Sequence, residues 1–206
     1  MTTLLQLNSS LFGENGQSTR LANQFAAAWQ DAHPEGRVLV RDLAADPIPH
    51  LDGQRFAAFL SKPGERTGEQ QAVVDFSDAL IAELRDADVI VLAVPLYNFD
   101  VPSVLKAYFD HVTRAGVTFR YTENGPLGLL NGKKAYVFAA RGGKYAGTAA
   151  DTSTGWLRTI LAFIGISDVE FVYAEGLALG EESQQASIAR AREEVRLLAE
   201  PLRAAA

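Results

Sequence analysis

The run Val89-Ile90-Val91-Leu92-Ala93-Val94 constrains the fold of this chain more than any other feature. It has no polar face, so a strand made from it must be covered on both sides, as at the centre of a parallel sheet. Four shorter strand candidates accompany it, at residues 4–7, 38–40, 135–139 and 169–173. The last contains Glu170, which fits an edge of the sheet better than its middle. Helix-length segments separate the candidates. Leu21, Phe25, Ala28, Trp29 and Ala32 recur at spacings of three and four behind Ser18 or Thr19, either of which can cap a helix. Val73, Phe76, Leu80, Ile81 and Leu84 repeat the pattern, and so do Trp156, Leu157, Ile160, Leu161 and Ile164 up to Gly165. A further helix is expected near 102–112, with Pro102 in its first turn. A last helix spans 188–198 and is expected to stop at Pro201, with 204–206 a frayed end. Strands alternating with helix-length crossovers give right-handed βαβ units, here a five-stranded parallel sheet compatible with the order 2-1-3-4-5. Two inserts interrupt this scheme: 46–68, with no clear strand, and 119–133, rich in Gly, Asn and Lys.

Composition excludes several function classes. Hydrophobic residues make up 48% of the 206, yet they come in short runs far below the roughly 20 residues a membrane span needs. The start, Met1-Thr2-Thr3, has no basic region of the kind that opens a secretion signal, so a cytoplasmic protein without membrane partners is expected. One domain over 1–206 suits the length. Without cysteine there are no disulfides, thiolate metal sites or cysteine nucleophiles, and redox chemistry would have to come from a cofactor. His33, His50 and His111 are too scattered to suggest a metal site. The net charge of −6, with no basic patch to offset it, argues against nucleic acid as a partner. His111 reads as a packing or capping residue, and Asp110 and Arg114, four apart, as a helical ion pair.

Ligands of open parallel sheets gather at the carboxyl ends of the strands, where three loops have unusual content. The first, residues 8–18, offers hydroxyls, glycines and a helix start that can hold a phosphate, but neither GxGxxG nor GxxxxGK[ST] spacing. The second, Pro95-Leu96-Tyr97-Asn98-Phe99, sets an amide between two aromatics at the tip of the strongest strand and could face a planar ring. The third, Ala140-Arg141-Gly142-Gly143-Lys144-Tyr145, pairs glycines that allow close backbone approach with an arginine able to face anionic or carbonyl groups. Each alone also reads as an ordinary turn. Their convergence on one face favours a ligand with one phosphate and a ring system, for which flavin mononucleotide (FMN) fits better than a dinucleotide.

The block Pro95-Leu96-Tyr97-Asn98-Phe99-Asp100-Val101-Pro102-Ser103-Val104-Leu105-Lys106 continues through Tyr108-Phe109-Asp110 and Arg114-Ala115-Gly116-Val117-Thr118-Phe119. With Ser9-Ser10, Gln17-Ser18, Arg41-Asp42-Leu43, Arg141-Gly142-Gly143 and Phe163-Ile164-Gly165-Ile166, it resembles the FMN-dependent NADH:quinone oxidoreductase and azoreductase family of the flavodoxin-like superfamily. The resemblance runs the length of the chain and implies a flavodoxin-like three-layer sandwich. It assigns Ser10, Gly16, Gln17 and Ser18 to the FMN phosphate, Leu96, Tyr97, Asn98 and Phe99 to the isoalloxazine and ribityl region, and Ala140, Arg141, Gly142 and Gly143 to the pyrimidine side. Serine is frequent in the family at the Gly16 position and can stand at that of Ala140, so backbone contacts are expected to serve at both. Phe119 and Phe163 become walls of the substrate pocket. The resemblance further implies a homodimer with active sites near its interface, to which the long insert would contribute. NADH or NADPH, with NADH preferred, would reduce FMN, and a quinone or azo compound would then take two electrons in a ping-pong cycle. The cofactor carries the chemistry, so no catalytic side chain is nominated. A flavodoxin-like electron-transfer protein is the alternative.

Overall fold

The computed structural model describes residues 2–204, with side chains described as far as Ala199. In chain order the elements are β1 (Thr3–Asn8), α1 (Gln17–Ala32), β2 (Arg37–Asp42), α2 (Gly53–Leu60), α3 (Gly68–Asp86), β3 (Val89–Pro95), α4 (Ser103–Val112), β4 (Phe119–Thr122), β5 (Gly125–Gly128), β6 (Lys134–Ala140), α5 (Thr152–Ile164), β7 (Asp168–Ala174) and α6 (Glu181–Ala204). Five strands form a parallel sheet in the order β2-β1-β3-β6-β7, while β4 and β5 pair separately as an antiparallel hairpin. Counting only the main-sheet strands in sequence order, this is 2-1-3-4-5.

β3 sits at the centre, buried from Ile90 through Pro95, because its apolar run meets helices on both faces. Alternation along β1 feeds two cores. Leu4 joins Phe25, Trp29, Val91 and Phe138 under α1 and α6. Leu5 and Leu7 join Leu92, Val137, Leu80 and Leu161 under α3, α4 and α5. A fully buried side chain of this size contributes about 1.5–3 kcal/mol, so these two layers hold the sheet rigid beneath its loops. β7 lies at an edge, where Glu170 stays partly exposed.

Several local expectations are corrected. The insert at 46–68 contains α2, which Asp52 caps by accepting from the Arg55 amide at 2.8 Å. The insert at 119–133 contains the β4–β5 hairpin, whose two-residue turn is Glu123-Asn124, followed by Gly125 at a φ of 104°. Neither Ser18 nor Thr19 caps α1: Gly16 is the N-cap, and both hydroxyls lie inside the first turn. Pro102 stands at the N-cap of α4 rather than within it. α6 continues through Pro201 to Ala204: proline's fixed φ of about −65° is itself helical, although a proline beyond the first turn of a helix lacks an amide donor and crowds the carbonyl four residues back. The frayed end expected at 204–206 is helical at Ala204, and Ala205 and Ala206 lie outside the described residues. No helix among the described residues is long and apolar enough to cross a membrane.

Candidate functional site

The connections from β1 to α1, β3 to α4, β6 to α5 and β7 to α6 all leave the same, carboxyl, end of the sheet. The first begins at Ser9, whose amide and hydroxyl both donate to Ala93 O, at 3.3 and 2.8 Å, tying the loop to β3. A short 3-10 turn at Gly13–Asn15 leads into Gly16 and α1. No side chain caps α1, and the amides of Gln17, Ser18 and Thr19 have no acceptor among the described residues. Ser18 Oγ and Thr19 Oγ1 are buried and likewise without a partner. Buried polar groups are ordinarily satisfied, so this concentration of open donors at the positive end of a helix dipole is the pattern of an anion cradle. A Cβ at Gly16 would lie 2.2 Å from Ser10 Oγ, so glycine here lets Ser10 close over the helix start. Behind the cradle, Gln6 Nε2 donates to Asn8 and Asn23, and Asn23 holds Glu14 at 2.7 Å, steadying the 3-10 turn.

The second loop makes a tight reversal. Tyr97 N donates to Asp100 O at 3.0 Å and Asp100 N to Tyr97 O at 3.1 Å, with Asn98 and Phe99 between them at φ of 50° and 66°. Two consecutive left-handed residues make a type I′ turn, which asparagine tolerates and phenylalanine does not favour. Such backbone strain costs on the order of 1–3 kcal/mol per residue and persists only where its surroundings impose it. The Asn98 and Phe99 amides have no acceptor among the described residues. The Tyr97 hydroxyl accepts from the Leu11 amide at 3.2 Å and so joins the second loop to the first.

The third loop corrects the expected role of Arg141. Its side chain is 2% exposed and turns into the protein. There it donates to Asp151 at 2.7 Å, Glu175 at 3.1 Å, Ser153 at 3.2 Å and Thr154 at 2.8 Å, stacked on the Tyr173 ring. With its donors engaged inside, the guanidinium is not available to a ligand; the loop offers backbone instead. The Gly142 and Gly143 amides have no acceptor among the described residues, while their carbonyls are held by Ala178 and Gly176 at 2.9 and 2.8 Å. Burial pushes the Asp151 carboxyl up, but hydrogen bonds from Arg141 and Thr154 outweigh it and hold the group below its ordinary range.

The three loops share a cavity of about 190 Å³. Ser10, Gly16 and Gln17 line it from the first, Leu96 and Tyr97 from the second, and Ala140, Arg141 and Gly142 from the third. Phe12 and Pro95, inside the loops read from the sequence but given no role there, and Leu177, outside those loops, complete the lining. Thr19, read there as a possible cap, instead adds an open hydroxyl beside Ser18. Asn98 and Phe99 stand exposed outside the cavity lining, and Gly143 backs onto the Tyr145 ring. A larger cleft of 720 Å³ lies between Lys144 and the start of α6, where Glu181 and Glu182 crowd the helix N-terminus. Carboxylates rather than buried open hydroxyls stand at its helix start, and no aromatic lines it, so size does not select the site.

Phe119 and Phe163 do not join the cluster. They pack on each other, ring centroids 4.4 Å apart, at the opposite end of the sheet. α5 starts at the strand tips and its 13 residues carry Phe163 about 18 Å away, to where Ile164 O accepts from Leu130, just before β6. His111 is buried between the Phe59 and Phe76 edges with Nδ1 on Ala107 O, and burial lowers its pKa; it is a packing residue. Asp110 pairs with Lys106 and Arg114 with Asp78, not with each other.

Comparison with known proteins agrees with this architecture. A family model described as a flavodoxin-like fold matches residues 2–198. An FMN-dependent NADH:quinone oxidoreductase of Cellvibrio japonicus is 53% identical over 195 residues, covering 95% of this chain and 97% of the relative. FMN-dependent NADH:quinone oxidoreductase 6 of Burkholderia lata is 56% identical, covering 95% and 98%. Among solved structures, an azoreductase of Bacillus anthracis superposes with a TM-score of 0.87 at 29% identity, covering 98% of this chain and 99% of its own. An FMN-dependent NADH-azoreductase of the same species, in complex with FMN, gives 0.85 at 27% identity, covering 97% and 100%. Sheet order, strand-tip loops and relatives this similar along nearly the whole chain lead to one assignment: the chain belongs to the FMN-dependent NADH:quinone oxidoreductase family, on a flavodoxin-like fold.

Proposed function

We propose that this chain, acting as one domain, is an FMN-dependent reductase that uses NADH to reduce quinones and to cleave azo compounds. The observation that carries the reading is the unsatisfied start of α1: three open amides and two buried, unpartnered hydroxyls beside the gap that Gly16 leaves for Ser10. That set fits one phosphate monoester and nothing apolar. Ser10, Gly16, Gln17, Ser18 and Thr19 would hold the phosphate. Leu96, Tyr97, Asn98 and Phe99 would border the ring on one side, and the backbone of Ala140, Arg141, Gly142 and Gly143 on the other. When bound, FMN supplies a two-electron relay from NADH to the acceptor, and an azo bond requires two such cycles. The protein contributes placement: the open amides of Asn98, Phe99, Gly142 and Gly143 can donate to ring carbonyls and favour negative charge that develops there. Donor and acceptor then use the same space in turn.

The separation of Phe119 and Phe163 from the cavity supports a homodimer, in which this aromatic pair and the exposed Tyr121 and Leu127 of the hairpin would serve a second copy's site. A cytoplasmic setting suits a donor such as NADH. The test is anaerobic titration of the FMN-loaded protein with NADH, then with a small quinone. Bleaching by NADH, recovery by quinone and parallel reciprocal plots are expected. Protein that stays colourless in excess FMN rejects the reading, and an electron carrier would leave the quinone unreduced. Asn98→Gly keeps the left-handed turn and removes only the side chain, so a several-fold slower flavin reduction at unchanged circular dichroism is expected; an unchanged rate assigns Asn98 to the turn alone.

A further inference from the structure

Arg141 turns inward behind the third loop, yet its two carboxylate partners lead to the same residue of the second loop. Asp151 accepts from Arg141 at 2.7 Å and caps α5 by accepting from the Thr154 amide at 3.2 Å. The cap sets the first residue of that helix, Thr152, whose hydroxyl donates to Phe99 O. Glu175 accepts from Arg141 at 3.1 Å with the same oxygen that takes the Tyr145 and Ala146 amides, both at 2.8 Å. Those bonds seat the Tyr145 ring against Phe99, centroids 5.5 Å apart. One route reaches the carbonyl of Phe99 and the other its ring. Phe99 is the residue for which a φ of 66° is least natural, and it is 55% exposed, so apart from the Tyr97–Asp100 hydrogen bonds that close the turn these two contacts are what hold it.

We propose that Arg141 is a positioning residue: through Asp151–Thr152 and Glu175–Tyr145 it clamps the Asn98–Phe99 turn in its left-handed form, so that the second and third loops keep a fixed relative position. Resting on the flavin reading above, the clamp sets where the Asn98 and Phe99 amides meet the ring. Arginine suits this because one planar fork binds two carboxylates and two hydroxyls at once, which a lysine ammonium cannot reproduce in the same geometry. A misplacement of about 1 Å in such a site can cost about 100-fold in rate, so a rigid support has a function beyond stability.

The test is hydrogen exchange in the full chain, with and without FMN. Tyr97 and Asp100 amides close the turn on each other, so their exchange reports its opening. Thr152 is exposed, and Thr152→Val replaces its hydroxyl with a methyl group of similar size. That variant is expected to speed exchange at Tyr97 and Asp100 by about ten-fold even without FMN, while Thr152→Ser stays within about two-fold of the natural chain. Arg141→Lys is expected to loosen these amides together with Tyr145 and Ala146. Unchanged exchange in Thr152→Val overturns the proposal, as does an Arg141→Lys chain that loosens Tyr145 and Ala146 but leaves the turn protected. If Arg141→Lys does not fold, the two Thr152 variants decide. In the loaded protein, Thr152→Val should slow flavin reduction by NADH more than it weakens FMN binding, and the reverse order overturns the proposed action on the ring. A natural chain that binds no FMN removes the flavin reading while the exchange result still reports on the clamp, so the two failures are separable.

Discussion

The loop after β1 and the loop after β6 border the same cavity and treat polar groups in opposite ways. In the first, the Ser18 and Thr19 hydroxyls and three helix-start amides have no partner among the described residues. In the third, Arg141 meets two carboxylates, two hydroxyls and an aromatic face, and Glu175 adds two backbone amides. Leaving buried polar groups open costs stability, whereas a saturated network supplies rigidity. The contrast therefore separates a loop with open polar groups, the one proposed above to hold the phosphate, from a loop whose polar groups are saturated and hold a shape. It also shows why a charged residue in a binding loop is poor evidence of ligand contact: the arginine that most invited that reading is the one most completely used by the protein itself.

The largest effect expected from this contrast comes from Arg141→Met. Removing the cation leaves Asp151 and Glu175 facing each other with little water, so unfolding in urea should show a loss of about 3–5 kcal/mol. A loss below about 1 kcal/mol would mean that the third loop is not the saturated scaffold described. Ser18→Ala should act in the other direction. It deletes a hydroxyl that has no partner, so the FMN-free protein should keep or slightly gain stability, while FMN binding weakens about ten-fold, or about 1.4 kcal/mol. Loss of stability without loss of FMN affinity would make the first loop an ordinary turn. Riboflavin, lacking the phosphate, should bind natural and Ser18→Ala chains alike.

The smallest effect is a pH dependence confined to the third loop. The Asp151 carboxyl is held below the ordinary carboxylate range in the folded protein, so its contribution is present above the unfolded-state pKa and is lost as the pH falls through the folded pKa. Exchange at the Thr154 amide, and then at Tyr97 and Asp100, should rise in that acid window, whereas Asp151→Asn should flatten the response because asparagine still caps a helix. An identical acid response in Asp151→Asn would place the sensitivity elsewhere.

Much of the fold was legible in the chain. The unbroken apolar run at 89–94 could only be a central strand, and the spacings of three and four marked the faces of α1, α3 and α5. The grouping of three loops at one end of the sheet was legible too, because topology brings the carboxyl ends of parallel strands together whatever their side chains. The type I′ turn was not: Asn98-Phe99 lacks the glycine that normally announces it, and the clamp on Phe99 replaces the intrinsic preference. Nor were the short α2 and the hairpin, where local propensity is weak and the caps and turn decide.

By itself the sequence determined periodicity, the strands of the main sheet and which loops would share an end, because these follow from the side-chain pattern and the handedness of βαβ units. Tertiary structure alone decided direction. It turned Arg141 inward to its carboxylates, left the Ser18 and Thr19 hydroxyls buried and open, and carried Phe163 along α5 to the far end of the sheet. Those outcomes depend on which groups reach one another across distant parts of the chain, and that is settled only when the layers pack.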